Sequence, residues 1–116
     1  MSTINIASDF SRTPGGRYIS DGPFSGELFR ERLLVPALRG ALSSKGKVVV
    51  VLDGTRGYLS SFLEESFGGL VREHGFTKHQ LDRILELRAI DSYYETYRNI
   101  ALRSIADARA ERSLAH

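Results

Sequence analysis

The sequence has no cysteine, no tryptophan, one methionine and only three prolines in 116 residues. Without cysteine there is no disulfide, no thiolate metal centre and no cysteine nucleophile, as expected in a reducing compartment. Long apolar runs are also missing. The longest, Val48-Val-Val-Val-Leu52, falls far short of the roughly 20 residues that a helix needs to cross a bilayer. The opening residues, Met1-Ser-Thr-Ile-Asn-Ile6, lack a basic segment followed by an apolar one, so no leader is read there. No membrane partner is expected, and the chain reads as soluble and cytoplasmic. An excess of one charge is absent too: 16 Lys+Arg against 14 Asp+Glu leaves +2. That is too near balance to make nucleic acid or an acidic membrane the main partner.

What is present reads as one α/β domain, since 41% hydrophobic and 26% charged residues suit a single core at this length. Ile4 and Ile6 alternate with polar neighbours as a first strand. Thr13-Pro-Gly-Gly16 and Asp21-Gly-Pro23 bracket a brief extended stretch at Arg17-Tyr-Ile19, a candidate hairpin. Ser25 caps an expected helix from about Gly26 to Leu42, with Leu28, Val35, Leu38 and Leu42 on one stripe. Pro36 predicts a kink, or two helices meeting near Val35. Val48 to Leu52 predicts a strand buried on both faces. A second helix is expected from about Ser61 to His74, with Ser61 and Glu64 at capping-box spacing and Gly75 as its stop. Inside it, Gly68 and Gly69 each cost about 1 kcal/mol relative to alanine, which points to close backbone approach. Thr77 to Asp82 predicts a helical turn and Ile84 to Ile90 a strand. Tyr94, Tyr97, Ala101, Ile105 and Ala108 have helical spacing in a last helix from Ser92.

The motifs argue against catalysis. Asp53-Gly-Thr55 after a strand is similar to the haloacid-dehalogenase start, but the carboxylate that such chemistry needs two residues earlier is Val51, so no aspartyl-phosphate can form. Asp53 reads as a turn former. His74, His79 and His116 have no zinc-protease spacing, Lys47 is followed by Val48 where a Walker motif needs Ser or Thr, and no Gly-x-Ser-x-Gly elbow occurs. No cofactor, metal or catalytic residue is therefore expected. Arg12, Gly15, Gly16 and Arg17 form the alternative: a glycine-rich turn with arginines that would hold a small anionic ligand or nucleotide. Ser60 and Ser61 sit where a helix begins, as caps or as phosphate acceptors.

The element order resembles the STAS domain, the anti-sigma-factor antagonist fold, in which a buried strand leads to an Asp-Ser-Ser-Gly-Leu segment opening a helix. Leu59-Ser-Ser-Phe-Leu63 stands at that place. More closely, Gly16-Arg-Tyr18, Asp21-Gly-Pro-Phe-Ser-Gly-Glu27, Phe29-Arg-Glu31, Leu52-Asp-Gly54 and Ser60-Ser-Phe-Leu-Glu-Glu-Ser-Phe-Gly-Gly-Leu70 resemble the bacterial STAS-like domains of unknown function. The likeness covers about Ile4 to Asp91. It implies a STAS-like domain over 1–91 with a mixed central sheet packed with helices. Residues 92–116 would be a C-terminal helix on the same domain or in an oligomer interface. It further implies a non-catalytic interaction or regulatory module whose protein partner is an ATP-binding kinase of the histidine-kinase-like fold, with Ser60 in the phosphoacceptor's place. Leu59 stands where the family has aspartate, and Phe62 where it has glycine. The expected contact rim is Asp53, Gly54, Thr55, Arg56, Gly57, Tyr58 and Leu59, running into Ser60 and Ser61, with Tyr58 and Leu59 as its apolar part. Self-association through the tyrosine-bearing last helix is the further expectation.

Overall fold

The computed structural model describes residues 2–109, so His116 and the expected end of the last helix lie outside the described residues. Three strands, β1 (Ser2–Asn5), β2 (Val48–Val51) and β3 (Leu85–Arg88), form a sheet in the order β1-β2-β3. Both pairings are parallel, with Ile4 opposite Val50 and Val50 opposite Leu87. Parallel neighbours need crossovers, and helices supply them. α1 (Ile6–Asp9) follows β1 directly. α2 covers 26–44 and α3 covers 60–74, α4 is Lys78–Ile84, and α5 is Glu95–Asp107 after a 3-10 turn at Ser92–Tyr94.

The fold is α/β as expected, but the sheet is wholly parallel among the described residues, not mixed. The expected hairpin at Arg17–Ile19 is the reason. Its backbone turns through a 3-10 helix at Ile19–Asp21 and bonds to the start of α2, where Gly26 N–H donates to Gly16 and Glu27 N–H to Arg17, each at 3.0 Å. With its polar groups met there, the segment has no free edge to offer a strand.

Pro36 neither breaks α2 nor splits it. A π turn at Arg30–Leu34 runs straight into the α segment Val35–Ser44, and the proline stands just after the join, where the ladder changes its hydrogen-bond pattern and the backbone stays helical. The extra residue of the π turn shifts the buried stripe to Phe29, Leu34, Val35, Leu38 and Ala41, leaving Leu42 exposed. α3 also carries a π turn, at Glu64–Gly68, and ends at Gly75 in the left-handed region, φ 70°.

Val48, Val50 and Leu52 point with Ile4 and Leu87 into one core, where Phe29, Phe62 and Phe67 of α2 and α3 are fully buried. Each such aromatic contributes about 1.5–3 kcal/mol by leaving water. The run is buried throughout, as expected. Val49 and Val51, however, stand outside that core, on a face whose register neighbours are Thr3, Asn5, Glu86 and Arg88. Tyr94, Ala101, Ile105 and Ala108 join the main core, so α5 is packed on the same domain.

The paired glycines of α3 mark two close approaches. A Cβ at Gly69 would collide with Arg30 Nη1, and one at Gly68 would lie 2.6 Å from Glu64 Oε2 and 3.2 Å from the Ser104 carbonyl of α5.

Candidate functional site

All three strands end on the same side, and the loops that follow them form one rim. This is where open α/β sheets place their contacts. β2 leaves the ladder at Leu52, whose N–H donates to Arg88 at 3.0 Å. Asp53 then accepts N–H bonds from Ile90 and Asp91, one on each carboxylate oxygen, both at 2.8 Å. Both oxygens are therefore occupied in fixing the loop after β3. Gly54 and Gly57 hold φ of 95° and 107°, a region that side chains resist. A Cβ at Gly57 would meet the Tyr97 hydroxyl at 2.9 Å.

The expected rim residues do not all reach solvent. Thr55 and Tyr58 are buried. Thr55 Oγ1 accepts from Gly57 N–H at 3.2 Å, and its carbonyl accepts the Tyr94 hydroxyl. Tyr58 donates its hydroxyl to the Leu52 carbonyl at 2.6 Å, and burial pushes that phenol well above its ordinary pKa. Tyr58 is thus a strut under the loop and not part of an apolar docking face. Leu59 is 59% exposed and carries that role alone among the two. Arg56 and Gly54 are exposed, and Gly57 is half-buried.

α3 starts at Ser60, one residue earlier than expected, with Leu59 in extended conformation as its N-cap. The predicted Ser61–Glu64 capping box is absent. Glu64 is drawn away by Arg17 and by Arg72, whose Nη1 lies 2.7 Å from Glu64 Oε2. Ser60 is exposed, Ser61 is half-buried, and Phe62 turns into the core with no exposure.

The second candidate set is divided by the fold. Arg17 binds Glu64 and Glu65, whereas Arg12 is exposed beside the rim, its carbonyl accepting Arg56 N–H at 2.9 Å. Gly15 N–H is used by the Phe24 carbonyl at 3.0 Å, and Gly16 takes φ 88°. The structure instead joins Arg12 to the β2 loop. Beside this join lies an open groove of about 300 Å³, walled by Thr13 and Pro14 on one side and by Arg56 to Leu59 and Tyr97 on the other, with Arg12 outside the wall.

Tyr93 and Tyr97 are rim residues, of which sequence reasoning placed Tyr97 only in a helix stripe and did not single out Tyr93. Their rings meet edge-on at 5.8 Å, Tyr97 packs on Tyr58 at 5.3 Å, and Tyr93 is 58% exposed. The signal was the clustering of tyrosines at 93, 94 and 97. Which of them faced outward depended on the Asp53 clamp.

Behind the rim lies a seam of paired charges. Arg30, 4% exposed, donates from Nη1 to Glu65 Oε2 and to the Glu65 carbonyl, each at 2.7 Å. Burial pushes the Glu64 carboxyl up, but the Arg72 and Arg17 guanidiniums outweigh it and hold it below its ordinary pKa. Glu31 behaves alike: burial raises it, while His74 and Arg30 bring it below its ordinary value. Among the described residues, no group of three or more His, Cys, Asp or Glu is placed to hold a metal ion, and no helix is long and apolar enough to cross a membrane.

A family model described as a STAS-like domain of unknown function matches residues 25–95. That is more than half of the chain, which belongs to this family. Neither the curated proteins nor the solved structures include a match to it.

Proposed function

We propose that this STAS-like domain is a non-catalytic interaction and regulatory module that meets a protein partner through the rim after β2. Ser60 is the hydroxyl that an ATP-binding, histidine-kinase-like partner phosphorylates. The observation carrying this reading is the pair Leu59 and Ser60, both exposed at the head of α3, on a loop pinned from below by Asp53 and Tyr58. A rigid loop presents an apolar side chain and an accessible hydroxyl with little ordering cost on binding. A phosphate there would add about 1.5–2 negative charges beside the open amides of a helix start, so the fold tolerates the modified state while the contact surface changes sign. The rim carboxylate supports a non-catalytic role, since both Asp53 oxygens already accept backbone amides.

The test combines the purified chain and ATP with candidate ATP-binding, histidine-kinase-like proteins. One phosphate should appear by intact mass and be lost in Ser60→Ala, and Ser60→Glu and Leu59→Asp should each weaken the complex. Phosphate mapped to another residue would remove the role of Ser60. A complex indifferent to both substitutions would remove the rim itself.

A further inference from the structure

Arg12 and Arg56 differ from Arg17 and Arg88, each of which is paired with a carboxylate. The backbones of Arg12 and Arg56 are hydrogen-bonded at 2.9 Å, both are exposed, and neither has a carboxylate partner among the described residues. The acidic groups nearby do not answer them. Asp9 accepts Asn5 N–H at 2.7 Å, Asp53 is occupied by two amides, and Asp91 accepts Tyr93 N–H at 2.8 Å. Among the described residues the groove has no acidic residue in its wall, and Arg56 is its one charged member, beside Leu59, Tyr58 and Tyr97.

We infer that this groove docks an acidic, apolar-bearing peptide segment of the partner protein, a carboxylate side chain meeting Arg56 with the exposed Arg12 adding positive charge beside the groove, while a neighbouring apolar side chain lies against Leu59 and Tyr97. The inference rests on the docking role of the rim and specifies its partner's chemistry. Guanidinium forks suit carboxylates by paired N–H donation. A half-buried tyrosine and an exposed arginine beside an apolar anchor are residue types that interfaces concentrate. An open groove of about 300 Å³ is at the small end for enclosing a free ligand but admits side chains from an extended segment. Arg17 takes no part, because Glu64 and Glu65 hold it.

The experiment titrates the full-length, isotope-labelled protein with a synthetic peptide alternating Glu and Leu, and separately with its Lys–Leu counterpart, following amide shifts by NMR. The Glu–Leu peptide should shift residues 12–14 and 56–59 and weaken as salt is raised. The double substitution Arg12→Glu, Arg56→Glu should weaken it about tenfold or more, the loss expected for charge-assisted contacts, with melting temperature unchanged. Equal binding of both peptides, or Glu–Leu binding indifferent to the double substitution, overturns the acidic specificity and leaves the docking role standing. Rim shifts that appear on raising protein concentration alone, with neither peptide competing, assign the groove to a second copy and overturn the inference. No rim shift with either peptide also overturns it, while the docking role is decided separately by the Leu59→Asp complex assay.

Discussion

Two sets of arginines lie within one small domain and do opposite work. In the seam between α2 and α3, Arg17, Arg30 and Arg72 are each paired with Glu64 or Glu65, and Arg30 and Glu65 are almost wholly buried. At the rim, Arg12 and Arg56 face solvent with no carboxylate partner among the described residues. The contrast teaches where fold and function divide. A buried pair adds little net stability over a hydrophobic replacement but punishes any structure that separates it, so it favours one helix register. An exposed, unpaired guanidinium does nothing for the fold and is free to meet something else.

The strongest way to break this contrast is to unpair the seam. Glu65→Ala strips the buried Arg30 Nη1 of its carboxylate and leaves only the exposed Glu31 on Nε, and loss of one partner of a buried pair costs about 3–5 kcal/mol. Urea unfolding should show a correspondingly lower midpoint. Adding Arg30→Met to Glu65→Leu should recover most of it, because neither charge is then stranded. A double variant as unstable as Glu65→Ala would mean that the pair itself holds the helices together.

Glycine contacts should give the next largest effect. A Cβ at Gly26 would lie 2.5 Å from the Phe62 carbonyl, which is α3 backbone and cannot swing aside. Gly26→Ala should therefore cost about 1–3 kcal/mol, the usual range for overpacking, and Gly69→Ala should act through displaced Arg30. Gly40, with nothing near its missing Cβ, provides the control: alanine there should leave the denaturation midpoint unchanged or raised.

Some of this division was readable in the residues. Val48 to Leu52 announces its strand because β-branched residues with no polar alternation have one good home, and Gly75 announces a helix end. The paired Gly68 and Gly69 announce close approach without saying to what. Arg12 and Arg17 look alike in sequence, and what separates them is Glu64, 47 residues from Arg17. Tyr58 and Leu59 look equally suited to a docking face. Only the end of β2 decides that the Tyr58 hydroxyl finds Leu52 and turns inward. The false hairpin has the same origin: Pro14, Gly15 and Gly16 do encode a turn, but local chemistry cannot say that its backbone bonds will go to α2.

Acid sharpens the comparison from another side. Glu64 and Glu31 are held below their ordinary pKa of 4.5 by the guanidiniums and, for Glu31, by His74 as well. A carboxylate with a lowered folded pKa binds fewer protons than its unfolded counterpart, so its stabilisation is complete above the ordinary value and fades as pH falls through the lowered one. The melting temperature should drop on acidification below about pH 4.5, and Glu64→Gln should show a shallower drop. Equal slopes would place the acid sensitivity outside Glu64.

The smallest expected effect is the most telling for the rim. Arg56→Ala removes an exposed side chain with no described carboxylate partner, and Leu59→Ser removes an apolar group that is mostly in water already. Each should change unfolding free energy by no more than about 0.5 kcal/mol, the usual scale for surface positions without a structural role. In Leu59→Ser the α3 start is preserved, because Leu59 caps it with backbone alone and serine caps at least as well. A near-zero change in stability together with a lost complex would separate contact from folding at this loop, whereas a loss above about 1 kcal/mol would show the rim to be part of the scaffold.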